Sequence, residues 1–158
     1  MPIAFQAPDL ALLLPGRWRV TATNFPLWLG GERLNPHFTY GLLGDAPLTL
    51  SDDVSYTTRE GEEKHIIGTD RWKGDAFVWR GKGLLKIAKS RWSLIGSSDD
   101  GSVLAIRFER TVATPAGIDV LVRDGVDRPE LRTLVAHNHE QFGLSTEEFA
   151  TLTWLAAH

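Results

Sequence analysis

Apolar and polar side chains alternate along most of this chain, and this two-residue period constrains the fold more than any other feature. The alternation runs through residues 16–23 and returns in residues 48–58 and 104–109. A β-strand turns successive side chains to opposite faces, so each segment is predicted to be a strand with one buried face. No long amphipathic helix separates these segments, which argues against a parallel α/β sheet. The pattern predicts an all-β protein.

Turn-forming residues separate the alternating segments. Lys73-Gly74 lies between two short strand-like runs and predicts a hairpin, and Asp100-Gly101 is a pair favoured in tight hairpin turns. In residues 118–123, the apolar side chains of Ile118, Val120 and Val122 are predicted to form an inward row. Further strands are predicted at residues 65–72, 75–81, 84–88, 91–96 and 131–137, with 84–88 and 91–96 forming either two strands or one bent strand.

The two ends of the chain have helical signals. Asp9 is predicted to cap a short helix over residues 10–14. Ser145 with Glu148 is predicted to begin a second helix near the end, in which Phe149, Leu152 and Trp154-Leu155 follow at helical spacing. About nine short strands between two helices favour a closed barrel, since closure removes exposed sheet edges. The predicted fold is an up-and-down, mostly antiparallel β-barrel with short terminal helices, as a single domain over residues 1–158.

Composition narrows the classes of partner and compartment. The 158 residues include 17 Lys and Arg spread without a basic block, and the formal net charge is −3. No nucleic-acid partner is therefore expected. The absence of cysteine excludes disulfides and thiolate metal sites. The apolar run in residues 10–14 is too short for a signal peptide or a membrane span. A cytoplasmic protein with no membrane partner is expected, and a homodimer is left open.

Gly16-Arg17-Trp18 follows the first helix and opens the first strand. This resembles the Gly-x-Trp signature of the lipocalins and fatty-acid-binding proteins, the calycin superfamily, although a second, Thr-Asp-Tyr-like lipocalin signature is absent. The resemblance implies a lipocalin-like barrel in which Trp18 closes the floor and a basic side chain from a late strand packs on its indole ring. Arg132 is the first candidate for that partner, and Arg123 is the second.

Aromatic residues are numerous for a domain of this size, and they predict either a ligand cavity or a solidly filled barrel. The apolar loop 24–31 is predicted to be either a lid that hinges at Gly30-Gly31 or a plug in the barrel end. The candidate ligand-binding residues are Trp28, Tyr40, Tyr56, Phe77, Trp79, Trp92 and Arg110.

Two charged residues share rows with inward apolar side chains. Asp52 lies in step with Val54 and Tyr56, and Arg110 lies in step with Phe108. Facing inward, Arg110 and Tyr56 would form a pocket for a carboxylate, as the fatty-acid-binding proteins suggest. The favoured alternative is a bulge at Asp52-Asp53 and a strand end at Arg110, which would leave both charges in solvent.

Histidines supply the remaining candidates for chemistry. His37 and His65 are predicted to line the barrel, as structural side chains or as general bases. His137-Asn138-His139 has the spacing of two metal ligands on a strand, but the glycine pattern of cupin sites is missing, so no metal is expected. No phosphate loop or nucleophile turn is present.

These features lead to one principal hypothesis and two alternatives. The first is a binding protein for a small hydrophobic molecule, aromatic or not, with no cofactor. The second is a cofactor-free isomerase, cyclase or lyase that uses His37 or His65 with Asp52 or Tyr56 as acid–base groups. The third is an interaction module with a filled barrel. Fold alone does not separate them, because function depends on the site; whether the chain is an enzyme stays open.

Overall fold

The computed structural model describes residues 5–83, 89–112 and 114–156. The strands of this part are β1 (Gly16–Thr23), β2 (Leu34–Asp45), β3 (Leu48–Thr57), β4 (Glu63–Trp72), β5 (Phe77–Gly81), β6 (Lys89–Ser97), β7 (Val103–Phe108), β8 (Gly117–Arg123) and β9 (Thr153–Trp154). The helices are α1 (Ala7–Leu13), α2 (Leu131–His137) and α3 (Thr146–Ala150), and a 3₁₀ turn spans Pro26–Trp28.

The strands form one antiparallel sheet in which consecutive strands from β2 to β8 are neighbours and β1 follows β8. Pairing of β1 with β2, from Gly16 opposite Tyr40 to Arg19 opposite His37, closes the sheet into a barrel. Beyond Arg19 the free edge of β1 is taken by β9, with Ala22 opposite Trp154. The predicted all-β, up-and-down barrel with short helices toward its ends is confirmed.

α1 closes one end of the barrel. Its Leu10 and the following Leu14 are buried against Trp18, whose indole Nε1 donates a hydrogen bond to the Leu14 carbonyl at 2.9 Å. The predicted cap Asp9 lies inside the helix instead, where its carboxylate accepts a hydrogen bond from the Gln6 backbone N–H at 3.3 Å. Trp18 is fully buried, so the barrel is closed at this end.

The guanidinium of Arg123 lies 4.2 Å from the centre of the Trp18 ring, and it donates hydrogen bonds to the carbonyls of Leu13 and Pro15. The first candidate, Arg132, was wrong because it belongs to α2, outside the barrel; the second, Arg123, is opposite Trp18 in the β1–β8 register. A side chain at Gly16 would overlap the Arg123 guanidinium, and φ is +129° there. Glycine is thus required at position 16 so that the Arg123 guanidinium can pack on the Trp18 ring.

Two segments differ from the sequence-based prediction. No strand is predicted in residues 34–45, yet β2 occupies them; its Pro36, Gly41 and Gly44 hide an alternation that places Phe38 and Tyr40 in the core. Residues 131–137 are predicted as the last strand but form α2. Leu131 and Val135 are its buried side chains, and their spacing of four residues is helical rather than alternating.

The inward row predicted on β8 was also wrong. Ile118, Val120 and Val122 lie on the outer face of the barrel, in a second core with the side chains of α2 and the segment after it. Leu121, on the opposite face, belongs to the core inside the barrel. Both faces of β8 are buried, so alternation alone does not reveal which face is inside.

The other local predictions fare as follows. Lys73-Gly74 and Asp100-Gly101 lie in the connections that join β4 to β5 and β6 to β7, as predicted. Ser145 caps α3 by accepting a hydrogen bond from the Glu148 N–H, but the helix ends at Ala150 and Trp154 belongs to β9. The strand predicted at residues 84–88 lies outside the described residues. Among those that are described, none of the helices has the length and apolar character needed to span a bilayer.

Candidate functional site

The barrel is hollow toward the end opposite α1, where a cavity of about 510 Å³ opens between the strands. Its volume falls within the range of small-molecule sites, roughly 300–1,000 Å³. Aromatic side chains dominate its wall: Phe25, Trp28, Phe38, Tyr40, Trp79, Trp92 and Phe108. Lys89, Thr111, Val112 and Thr114 line it as well. We call this space the central cavity.

Stacked rings make the floor of the central cavity. Trp92 lies between Tyr40 and Phe77, with ring centres 5.5 and 4.7 Å apart and planes within 23° of parallel. Phe77 in turn contacts Trp72 at 4.9 Å, which fills the barrel between the floor and α1. The barrel is therefore filled at one end and hollow at the other. The solidly filled barrel and the ligand cavity, which the sequence left as alternatives, each describe one half of it.

The apolar loop after β1 folds inward over the other end of the barrel. Trp28 is buried against Phe38 and Tyr56, with ring centres 6.3 and 6.2 Å away. Phe25 contacts Phe108 at 5.5 Å and occupies the space that a side chain at Gly117 would fill. The loop thus packs as a plug and at the same time lines the central cavity; Gly30 and Gly31 lie exposed beyond it.

Two aspartates meet at the floor of the central cavity, and we call them the carboxyl pair. Asp52 faces inward on β3 opposite Tyr40, and Asp70 faces inward on β4 opposite Leu50 and Trp79. Both are buried, and each carboxyl affects the pKa of the other. The indole Nε1 of Trp92 donates a hydrogen bond to Asp70 Oδ1 at 2.9 Å. Asp52 lines the cavity, and Asp70 lies behind it.

Burial determines the protonation of the carboxyl pair. It raises the pKa of Asp52 to about 6, and it raises the pKa of Asp70 well above the ordinary value, with the Asp52 charge adding to the rise. The pKa of Asp70 is the more strongly raised of the two, so Asp70 is the carboxyl that keeps a proton at neutral pH. At neutral pH the pair thus holds one proton and one negative charge.

A third buried carboxyl, Asp119 on β8, faces the interior beside β1. Its Oδ1 accepts a hydrogen bond of 2.5 Å from the Thr23 hydroxyl, which itself accepts one from the Phe25 N–H. Burial raises the pKa of Asp119 to about 7. Burial raises the pKa of the Tyr40 phenol well above its usual range, and the neighbouring carboxyls of Asp52, Asp70 and Asp119 add to the rise. The interior is therefore acidic in composition and short of compensating positive charge.

Comparison with solved structures identifies the architecture. Lobster apocrustacyanin A1 superimposes with a TM-score of 0.68 at 9% identity, over 97% of this chain and 82% of that one. This chain has the lipocalin fold. The amine-binding protein of Rhodnius prolixus, in its tryptamine complex, matches with a TM-score of 0.64 at 14% identity, over 98% and 84%. The siderocalin Ex-FABP matches with a TM-score of 0.62 at 14% identity, over 92% and 95%.

No protein-family model and no curated protein sequence gives a significant match to the chain. With identities of 9–14%, the structural likeness establishes the lipocalin fold and leaves the ligand to be argued from the site itself.

Within this lipocalin barrel, most predicted ligand-binding residues meet at the cavity. Trp28, Tyr40, Trp79 and Trp92 line it. Phe77 supports the floor from below, and Tyr56 packs beside Trp28 under the guanidinium of Arg33 at 5.6 Å. Arg110 lies exposed beyond the end of β7, as the favoured alternative for this residue has it, so it holds no place in a carboxylate pocket.

Asp52 faces the interior because β3 pairs with β4 without a bulge, contrary to the favoured alternative. The favoured alternative, in which both charges lie in solvent, is therefore wrong for Asp52 and right for Arg110. Asp52 follows the parity of its strand, whereas Arg110 lies where the strand has ended.

The prediction that both histidines line the barrel was wrong. His37 is opposite Arg19 on the outer face, where its Nδ1 lies 2.9 Å from the Asn35 carbonyl and its Nε2 3.8 Å from Asp124. Its pKa is lowered, chiefly by burial. His65 is exposed and bonded to Asp53 at 2.8 Å, which raises its pKa. Because inward and outward positions alternate, neither ring shares the cavity with Asp52.

His139 is engaged in the turn after α2, where its Nδ1 lies 2.8 Å from the Leu144 carbonyl. Within the described residues, no group of three or more His, Asp or Glu side chains is placed to hold a metal ion.

Sequence reasoning missed Asp70 and Asp119 as members of the interior. Asp70 is in step with Gly68 and Trp72 on β4, so strand parity could have placed it, but the exposed first half of β4 weakened the pattern. Asp119 was assigned to the outer face together with Leu121, because the apolar row on the other face of β8 was taken as the inner one. That error arises because α2 and the turn after it cover the outer face of β8 and bury its apolar row.

Proposed function

We propose that this chain is a binding protein for a small, mostly apolar molecule with a flat aromatic body. The observation that carries the proposal is the central cavity, about 510 Å³ of space walled by seven aromatic rings in a barrel whose other half is filled. Rings supply large apolar area and a stacking surface at little cost in side-chain entropy. The floor of stacked rings limits how deeply a ligand enters.

The lipocalin neighbours support this reading at the level of ligand class only. One is described with tryptamine, and the siderocalin is described as having dual ligand specificities. These ligands differ between proteins of one fold, so neither is transferred to this chain. What they share with the present barrel is the fold.

A neutral aromatic probe tests the proposal. Isothermal titration calorimetry with 2-(2-naphthyl)ethanol should show saturable binding at one molecule per chain. Trp79→Ala should weaken the binding roughly tenfold, since tenfold corresponds to about 1.4 kcal/mol of lost contact. Trp154→Ala is the matched control, because Trp154 packs on Phe149 outside the barrel.

Three results are distinguishable. Weakened binding in Trp79→Ala with unchanged binding in Trp154→Ala supports an interior site. Equal weakening in both variants would place the probe elsewhere or indicate a general loss of structure. Absence of saturable binding to the wild-type chain would contradict the binding function and favour an interaction module.

Acid–base catalysis on such a ligand is the second candidate, because the carboxyl pair offers a group with a pKa of about 6 on the cavity wall. The histidines are on the outer face, so Asp52 is the side chain that would exchange the proton. Asp52→Asn would then retain binding and lower turnover at least about a hundredfold, as loss of a general base does. A variant that kept full turnover would exclude this role.

A further inference from the structure

The central cavity combines an apolar wall with a buried carboxylate that has no counter-charge in the part of the chain that the structure describes. Among these residues, no Lys or Arg forms an ion pair with Asp52 or Asp70, and Asp52 Oδ1 and Asp70 Oδ2 have no hydrogen-bond partner. A buried charge without a counter-charge is costly to keep. A ligand that supplies the counter-charge would therefore recover that cost on binding.

The surroundings of Asp52 specify the kind of counter-charge. Tyr40 is buried opposite Asp52 on the cavity wall. The rings of Tyr40 and Trp92 stack on each other, so aromatic side chains line the cavity beside the carboxylate. A cationic nitrogen beside that carboxylate gains an ion pair in an apolar surround, where charged hydrogen bonds are strong.

We propose that the central cavity selects ligands in which a flat apolar body ends in a protonated amine, with the nitrogen against Asp52 and beside the rings of Tyr40 and Trp92. The inference rests on the proposed binding function and gives its ligand class. The sequence suggested a pocket in which Arg110 binds the carboxylate of a ligand. In the structure the cavity wall itself carries a carboxylate, that of Asp52, and Arg110 lies outside, so the positive group belongs to the ligand.

Other ligand charges fit this site poorly. An anionic ligand would bring a second negative charge to a buried one, which repels it. A bare divalent cation needs six or more oxygen ligands or a tetrahedral set, and the described residues offer no group of three acidic or histidine side chains. An organic cation needs one ionic partner and an apolar surround, which the cavity provides.

The charged and titratable groups around the carboxyl pair are few. Tyr40 on β2 and Asp119 on β8 lie on the same side of the interior, and Asp53 on β3 points outward to His65. Lys89 on β6 lies exposed on the cavity wall. Below pH 6 the Asp52 carboxylate is protonated, because burial raises its pKa to about 6, and the pair then carries no charge. Binding of a cation should weaken there.

Three naphthyl probes of nearly equal size separate the effect of ligand charge from that of ligand shape. They are the cation of 2-(2-naphthyl)ethylamine, the neutral 2-(2-naphthyl)ethanol and the carboxylate anion of 2-naphthaleneacetic acid. On the wild-type chain at pH 7.5, calorimetry should show the amine binding at least about tenfold more tightly than the alcohol, as expected for a charged hydrogen bond. The acetate should bind more weakly than the alcohol. No variant is needed for this comparison, so a folding defect cannot obscure it.

Asp52→Asn keeps the shape of the side chain and removes its charge. It should lower the affinity for the amine about tenfold or more and leave the affinity for the alcohol within about twofold. Asp53→Asn, one residue away on the outer face, should change neither. Circular dichroism of each variant, melted alongside the wild type, confirms that the barrel is intact.

A pH series adds a readout that a purely structural aspartate would not move. Between pH 7.5 and pH 5, the affinity for the amine should fall roughly tenfold, one factor of ten per pH unit below a pKa of about 6. An alkylamine stays protonated throughout, since its pKa resembles that of lysine. The affinity for the alcohol should not change over this range.

Equal affinities for amine and alcohol would overturn the inference while leaving the binding function intact. So would an Asp52→Asn variant that binds the amine as tightly as the wild type does. Failure of all three probes to bind would instead contradict the proposed function on which the inference rests.

Discussion

Three aspartates inside the barrel determine how its stability depends on pH. Burial raises the pKa of all three carboxyls. The pKa of Asp52 rises to about 6 and that of Asp119 to about 7, and the pKa of Asp70 lies well above its ordinary value. In the unfolded chain these groups lose their protons near pH 4. The native state therefore keeps protons that the unfolded state releases, and the free energy of unfolding should decrease as pH rises from about 4 to 7.

Asp119→Asn tests this at one residue. The protonated Asp119 stabilises the fold fully below about pH 4, and the contribution declines by about 1.4 kcal/mol per pH unit until pH 7. Between pH 5 and pH 7, the wild type should thus lose about 2–3 kcal/mol more unfolding free energy than the variant. Urea denaturation at the two pH values measures the difference. Asp45→Asn, at the exposed end of β2, is the control, and equal losses in all three proteins would contradict the assignment.

At the scale of elements, α2 and the turn that follows it decide which face of the sheet is inside. The turn carries Phe142 onto the outer face of β6, where the two backbones come so close that a side chain at Gly96 would overlap Phe142. Gly143 turns away with φ at +69°, a conformation that glycine adopts without strain. The close approach buries the outer face of β7 and β8 and builds the second core.

Gly96→Ala should therefore dislodge the turn. A methyl group there meets backbone atoms rather than a movable side chain, and overpacking of this kind costs roughly 1–3 kcal/mol or more. Gly44→Ala, on β2, meets nothing within 4 Å and should be close to neutral. Thermal or urea unfolding of the two variants measures this contrast. A neutral Gly96→Ala would mean that α2 and its turn do not pack on β6.

Over the whole molecule, burial is unequal around the barrel. β7 and β8 are covered on both faces, by the interior on one side and by the second core on the other. β4 has only its inner face covered, and its first residues are exposed. Strands buried on both faces open only with the global transition, whereas one-sided strands open locally at lower free energy.

Hydrogen–deuterium exchange read by mass spectrometry should show this asymmetry. Peptides from β7 and β8 should exchange slowest among the strands, and peptides from the first half of β4 should exchange fastest. Saturation with a cavity ligand should slow exchange in β3 and β4, which carry Asp52 and Asp70, more than in β8. Uniform protection around the barrel would argue against two separate cores.

Strand parity accounts for what the sequence determined by itself. The alternation in β1 and β3 predicted the barrel class, the burial of Trp18 and the inward row in which Asp52 lies. The Gly-x-Trp motif located the closed end. Alternation is a local property, and it is strong wherever one face meets solvent.

The tertiary structure decided the rest, since those features depend on segments far apart in the chain. Alternation shows that β8 has two faces but not that α2 would cover one, so its inner row was inverted. Arg123 rather than Arg132 reaches Trp18 because of the β1–β8 register. Asp52, Asp70 and Trp92 meet only because the four consecutive strands β3 to β6 pair in one register around a closed barrel, and no local pattern in the sequence encodes that pairing.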